Sequence, residues 1–261
     1  MSEPPFILRR DGAVLEVLLN RPKANAIDAA TSRQLGEVFA DFRDDPTLRV
    51  AILGSALERF FSAGWDLNAA AEGEPPDADY GVGGFGGLQT LPGLNKPVIA
   101  AVGGIAVGGG FEIALSADLI IASETARFAL PEIRSGTIAD AATLKLPRRI
   151  PYHIAMELLF TGRWMEAAEA KHWGLVNDVV APDALMDRAR TLAAQLAAGP
   201  PLVFAAIKEV ARESEGVPFV EALARINARA FPSIATLYTS EDQLEGARAF
   251  AEKRAPVWKG R

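Results

Sequence analysis

PVIAAVGGIAVGGGFE, the stretch from Pro97 to Glu112, decides the fold. Pro97–Val102 is an unbroken apolar run of strand length, closed by Gly103-Gly104, and it reads as a strand buried on both faces. Three residues later Gly108-Gly109-Gly110 lead into Phe111 and Glu112, where a helix is predicted to begin. A buried strand that turns through glycines into a helix is the building unit of α/β proteins. The chain stays apolar as far as Ala122, but glycines, Glu112 and Asp118 interrupt it. It therefore reads as core and not as a membrane span.

The flanking sequence extends this pattern. Phe6–Asn20 is predicted to be a hairpin, because Asp11-Gly12 lies between two apolar-rich runs. Thr31 or Ser32 is expected to cap a helix that presents Leu35, Val38, Phe39 and Phe42 on one face. Val50–Leu53 and Leu119–Ala122 read as further buried strands. The Gly- and Pro-rich stretch Gly73–Gly87 is expected to be a mobile loop. From Tyr152 the pattern is helical. Helices are expected over Tyr152–Thr161, Glu166–His172, Pro182–Ala198, Pro201–Glu213, Pro218–Ala230 and Ser240–Lys253, with a short strand at Leu175–Val180. Gly199-Pro200-Pro201 must break a helix. The chain is accordingly read as an α/β core over 1–199 and a helical region over 200–261.

Composition removes several function classes. The 261 residues carry 27 basic and 33 acidic side chains, a formal net charge of −6. No basic stripe suits a phosphate backbone, so nucleic acid is not expected as a partner. Cysteine is absent, which excludes disulfides, zinc–thiolate sites and a cysteine nucleophile and is compatible with a reducing compartment. MSEPPFILRR lacks the pattern of a secretory signal, so a cytoplasmic location is expected. The two histidines, His153 and His172, fall in predicted helices without metal-ligand spacing. Neither a metal site nor a Ser-His-Asp centre is expected.

Four segments are candidates for chemistry. Gly81–Gly86 matches G-x-G-x-x-G, but it follows the loop-like PPDADY and not a strand, so it reads as a flexible loop. Gly108–Gly110 at a helix start allows a ligand to approach free N–H groups, as an oxyanion hole requires. A tight strand–helix turn, with Glu112 merely favouring the first helical turn, explains the same residues. Phe128–Glu132 followed by Gly136 sets a carboxylate in a loop after a short strand. An ordinary surface glutamate fits there as well. Ser62–Asp66 contains a Gly64 turn able to aim the Trp65 N–H at the same point, or simply to end a strand. Two carboxylates from different segments can divide acid and base roles if their surroundings separate their pKa values.

In this order and spacing, the segments resemble the crotonase superfamily of enoyl-CoA hydratases and isomerases. The resemblance covers nearly the whole chain. It rests on Arg21–Ala26, Phe61–Leu67, Gly108–Glu112, and Pro131-Glu132 with Gly136. Gly64–Leu67, the loop Ala69–Glu74 running on to Gly83-Gly84-Phe85, and the terminus Phe250–Arg261 make it closest to the branch that acts on a carnitine-derived thioester. The resemblance implies a spiral of ββα units with a C-terminal helical part that builds homotrimers, often paired into hexamers. It implies an acyl-CoA substrate, with CoA as part of that substrate and no separate cofactor or metal. It assigns Glu112 and Glu132 as catalytic and the N–H groups of Trp65 and Gly109 as the oxyanion hole. Lys23, Ala24, Ala26, Ala63, Asp66 and Leu67 are implied to line the CoA path. A quaternary ammonium on the acyl group would suit aromatic faces, and Trp65, Tyr80 and Phe85 lie near the loop.

This chain departs from the family pattern in two places. Gly103 stands where Asn is usual. Ala139 and Ala141-Ala142-Thr143 replace a Pro and a Gly-rich turn beside the acyl pocket. Reversible hydration of a short-chain 2-enoyl-CoA is the expected reaction. A general enoyl-CoA hydratase or isomerase, and a catalytically silent CoA-ester-binding subunit, are the alternatives.

Overall fold

The computed structural model describes residues 4–261. Its first elements are β1 (Phe6–Asp11), β2 (Val14–Leu19), β3 (Ala26–Ile27), α1 (Ala29–Asp44), β4 (Val50–Ser55), β5 (Phe60–Ser62), β6 (Gly64–Trp65) and α2 (Leu67–Ala71). Next come β7 (Val98–Val102), β8 (Ile105–Val107), α3 (Gly109–Ala114), β9 (Leu119–Ser123), β10 (Arg127–Ala129), α4 (Glu132–Ser135) and α5 (Asp140–Lys145). The chain continues through α6 (Tyr152–Thr161), β11 (Met165–Glu166), α7 (Ala167–His172), β12 (Asp178–Val180) and α8 (Leu185–Ala197). It closes with α9 (Pro201–Glu213), α10 (Phe219–Asn227), α11 (Pro232–Leu237) and α12 (Asp242–Glu252).

The expected hairpin forms, with Asp11 opposite Val14. The main sheet has the order β1-β2-β4-β7-β9-β12 and is parallel from β2 onward. Successive side chains of a strand point to opposite faces. Ala51, Leu53, Ala100 and Val102 enter the larger core, while Val50, Ile52, Ile99 and Ala101 meet Leu185, Ala189 and Ala193 of α8. Both faces are covered, which is why these strands are apolar throughout. Glu16 falls on the α8 side and is buried. Arg190 of α8 binds its two oxygens at 2.6 and 3.1 Å, so the charge is paired.

A second sheet, β11-β10-β8-β5, is parallel through β5, β8 and β10. The chain alternates between the sheets: β4 then β5, β7 then β8, β9 then β10, each pair leading to a helix. This is the spiral of ββα units that the resemblance implies. The register sets Phe60 beside Ile105 and Ile105 beside Arg127, so the carboxyl ends of the three strands stand side by side.

Several local expectations change. The cap of α1 is Asp28, whose carboxylate accepts the Thr31 N–H at 2.7 Å. Thr31 and Ser32 lie within the helix and are buried. Ser32 Oγ instead accepts the Gly86 N–H at 3.1 Å. The end of the Gly73–Gly87 stretch is thus packed onto α1, where a Cβ on Gly87 would come within 2.5 Å of the Gly36 nitrogen. Glu132 begins a short helix and does not lie in a loop. The Ala139–Thr143 departure runs into a helix too, α5, because alanines favour one where glycines would not. The strand expected at Leu175–Val180 is only Asp178–Val180, since the Leu175 and Val176 N–H groups donate to the Ala170 carbonyl and close α7.

The helical region begins with α9, and Lys208 ties it down by donating to Asp118 Oδ2 at 2.7 Å and to the Lys96 carbonyl at 2.9 Å. Phe219, Val220 and Phe250 on the later helices are exposed. Among the described residues, no single helix is long and apolar enough to cross a membrane.

Asn25 fastens the loop between β2 and β3 to the second sheet. Its Oδ1 accepts the Arg21 N–H at 2.8 Å, and its Nδ2 donates to Ser55 Oγ at 2.8 Å and to the Phe61 carbonyl at 2.9 Å. It sits at a φ of +50°, a conformation asparagine tolerates better than alanine. Asn25→Ala is expected to lower stability by about 2–4 kcal/mol, measured by urea denaturation.

Candidate active site

Ser62–Trp65, Gly108–Glu112 and Leu130–Glu132 follow β5, β8 and β10, so they converge although more than sixty residues separate the first from the last. Ligands bind beyond the carboxyl ends of parallel strands. The approach is close enough to exclude side chains. A Cβ on Gly64 would lie 2.7 Å from the Gly109 nitrogen, and one on Gly110 would lie 2.2 Å from the Ser62 carbonyl oxygen. Gly108 has a φ of +55°, and a Cβ there would meet Glu132 Oε1 at 2.6 Å. A Cβ on Gly109 would strike the Phe85 ring at 2.5 Å.

This packing orients two N–H groups. Gly109 is the first residue of α3, so its N–H has no partner within the helix. β6 pairs with β3, setting Ile27 beside Trp65, and the Asp66 N–H donates to the Ile27 carbonyl at 2.9 Å. Alternate residues of a strand donate to opposite sides, so the Trp65 N–H faces away from β3, toward the start of α3. The Trp65 indole is fixed by its Nε1–H, which donates to Glu74 Oε1 at 3.1 Å. Glu74 also accepts the Ala29 N–H at 3.0 Å, joining the loop to α1. Glu74 was not among the candidate residues. Its only sequence signal is a carboxylate nine positions after a tryptophan.

The two candidate carboxylates meet here in unlike surroundings. Glu112 lies in the first turn of α3 and is 7% exposed. Its Oε1 accepts the Ala142 N–H at 2.9 Å. Burial pushes its carboxyl above the usual range and Asp140 adds to this, while the N–H bonds of α5 and the nearby Lys145 charge oppose it. Glu132 begins α4, with Oε1 against Gly108 and Oε2 buried without a partner. Burial pushes it up to about 7, and the charges of Glu112 and Asp140 act in the same direction. The Glu112 charge is among the groups that push Glu132 up, so the two carboxyls are neighbours.

The residues expected along the CoA path also share one neighbourhood. The Ala63 N–H donates to the Ala24 carbonyl at 2.9 Å, and Ala26 pairs with Gly64. Lys23 and Leu67 are exposed beside them. Asp66 is buried, accepts the Asn68 N–H to cap α2, and binds Arg21 at 2.5 Å. Burial pushes its carboxyl up, but Arg21 and the N–H donors more than offset that and hold it below the usual range. Its carboxylate is therefore engaged in holding the loop. Tyr80 packs edge-on against Phe85 with ring centroids 5.3 Å apart.

The chain is similar to known proteins over nearly its whole length. The family model described as enoyl-CoA hydratase/isomerase matches residues 9–261. The carnitinyl-CoA dehydratase of Proteus mirabilis is 56% identical over 262 residues, covering 100% of both chains. That of Citrobacter koseri is 56% identical over 253 residues, covering 97% of each. Among solved structures, the enoyl-CoA hydratase of Mycobacterium tuberculosis superposes with a TM-score of 0.90 at 40% identity, covering 99% of this chain and 100% of that one.

Glu132 links the site to stability. With its pKa raised to about 7, the folded protein binds more protons than the unfolded chain between the ordinary carboxyl range and neutrality. The contribution is fully present below that range and is lost as pH rises through about 7. Glu132→Gln is uncharged throughout and escapes this loss. Its Tm relative to the wild type is expected to increase between about pH 5 and about pH 8 in thermal melts.

Proposed function

The chain belongs to the enoyl-CoA hydratase/isomerase family, and from that premise we infer that it is a hydro-lyase of short-chain acyl-CoA thioesters. The acyl group we propose is carnitinyl, converted reversibly to crotonobetainyl-CoA and water. The relatives of that name at 56% identity over nearly the full length support this choice. The observation that carries the reaction type is the meeting of Glu112 and Glu132, one held by N–H donors beside a cation and the other pushed up to about 7.

In this reading the thioester oxygen accepts hydrogen bonds from the Trp65 and Gly109 N–H groups. These stabilise the enolate that develops as the reaction proceeds, and removing one such donor costs about 2.7–4 kcal/mol of barrier. Glu112, as carboxylate, takes a proton from water while the water oxygen bonds to Cβ. Glu132, protonated, delivers its proton to Cα, completing the 3-hydroxyacyl thioester. Exchange with solvent then returns the proton from Glu112 and reprotonates Glu132. Elimination runs the same steps backward. Lys23, Ala24, Ala26, Ala63, Asp66 and Leu67 border the CoA. Phe85, against Gly109 and braced by Tyr80, offers an aromatic wall for a quaternary ammonium, with Trp65 nearby, each contact contributing about 0.5–2 kcal/mol.

The reading needs no separate cofactor, because CoA arrives with the substrate. It carries with it a cytoplasmic location and assembly as a homotrimer or a pair of trimers. The exposed Phe219, Val220 and Phe250 of the C-terminal helices support that assembly, being apolar surface suited to burial between copies.

Glu112→Gln and Glu132→Gln are each expected to lower hydration by about 10²–10⁴-fold while CoA-ester binding persists, as measured by turnover and calorimetry. Wild-type turnover in both would overturn the assigned roles. Supplied with crotonobetainyl-CoA in ¹⁸O-water, the wild type is expected to yield carnitinyl-CoA with solvent oxygen at Cβ. A shifted double bond without oxygen would instead identify an isomerase, and binding without turnover a silent subunit.

A further inference from the structure

Glu112 is held by more than its own helix. Ser116 lies two residues past the end of α3, four after Glu112, while Ala142 and Lys145 stand three apart on one face of α5. Two contacts join the segments. At one, the Ala142 N–H donates to Glu112 Oε1 at 2.9 Å. At the other, Lys145 Nζ donates to Ser116 Oγ at 2.8 Å, and Ser116 Oγ donates in turn to the Glu112 backbone carbonyl at 2.9 Å. One turn further on, Arg149 donates to the Leu115 carbonyl at 2.6 Å. Two cations thus grip the carboxyl-terminal end of α3, where the helix dipole favours positive charge.

We propose that Lys145, acting through Ser116, is the positioning residue that locks α5 onto α3 and keeps the Glu112 carboxylate in place and ionised. The proposal rests on the reading of Glu112 as the base and extends it to a residue that touches no substrate. Lys145 is half-buried and its hydrogen-bond partner is neutral, an arrangement that burial alone would disfavour. Burial pushes its ammonium down to about 8, Arg149 acts in the same direction, and Glu112 opposes both. Around Glu112, Asp140 from α5 presses toward protonation, and Lys145 is the cation that opposes it.

Lys145→Met is expected to lower kcat roughly ten- to hundredfold while KM for the CoA ester stays near the wild-type value, because the base is displaced and the CoA path is not. The acidic limb of the kcat/KM profile should move upward by about one pH unit as Glu112 loses its cation. Lys145→Arg should restore both. Ser116→Ala, which cuts the bridge but keeps the ammonium, should lower kcat with little movement of the acidic limb. Wild-type kcat and an unmoved limb in Lys145→Met would overturn the proposal. If that variant does not fold, wild-type kcat in Ser116→Ala would do so. The titration of the Glu112 carboxyl by ¹³C NMR supplies a readout independent of turnover. An unaltered Glu112 titration in Lys145→Met defeats the positioning role even if hydration is absent. A wild type inactive on every thioester defeats the hydratase reading alone.

Discussion

Three parallel strands, β5, β8 and β10, end at the same level, and no side chain fits between the segments that leave them. The Ser62 carbonyl occupies the space of a Gly110 Cβ, and the Gly109 nitrogen occupies that of a Gly64 Cβ. This backbone-on-backbone contact brings the Gly64-Trp65 segment to the start of α3, where Glu132 also reaches. The main sheet supplies the rigidity behind it. Its parallel strands are buried on both faces, with the larger core on one side and α8 on the other. Close-packed interiors of this kind resist deformation, and the site is built on the strand ends that they support.

On this scaffold two chemically identical side chains become different. Glu112 receives an N–H donor from α5 and lies near Lys145. Glu132 has one buried oxygen without a partner and faces the charge of Glu112. In the proposed mechanism, surroundings that separate two carboxyls in this way divide acid from base. The arrangement opposes stability, since a buried carboxyl without a hydrogen-bond partner is costly when ionised.

The replacement of a glycine-rich turn by Ala141-Ala142-Thr143 illustrates how local propensity alters a site without dismantling it. Alanine favours helix, and residues 140–145 form one. The helix presents the Ala142 N–H to Glu112 and carries Lys145 one turn later. The segment that departs from the family pattern is the element that holds one of the carboxylates.

The α/β class, the hairpin, the buried strands and the span of α9 were legible in the sequence because each depends on short-range signals: apolar runs, an Asp-Gly turn, a Pro-Pro break. The four site segments were legible only as a set, through their order and spacing. The anchoring of Trp65 by Glu74, the packing of Gly83–Gly87 onto α1 and the bridge from Lys145 to Ser116 carried no pattern in the chain that singled them out. Each depends on how distant segments pack, and parallel pairing joins residues dozens of positions apart. Residue types and their local preferences are properties of the chain itself. The meeting of Glu112 with Glu132, and the difference in their acidity, exists only once the ββα turns have stacked, because burial and neighbouring charge arise from packing.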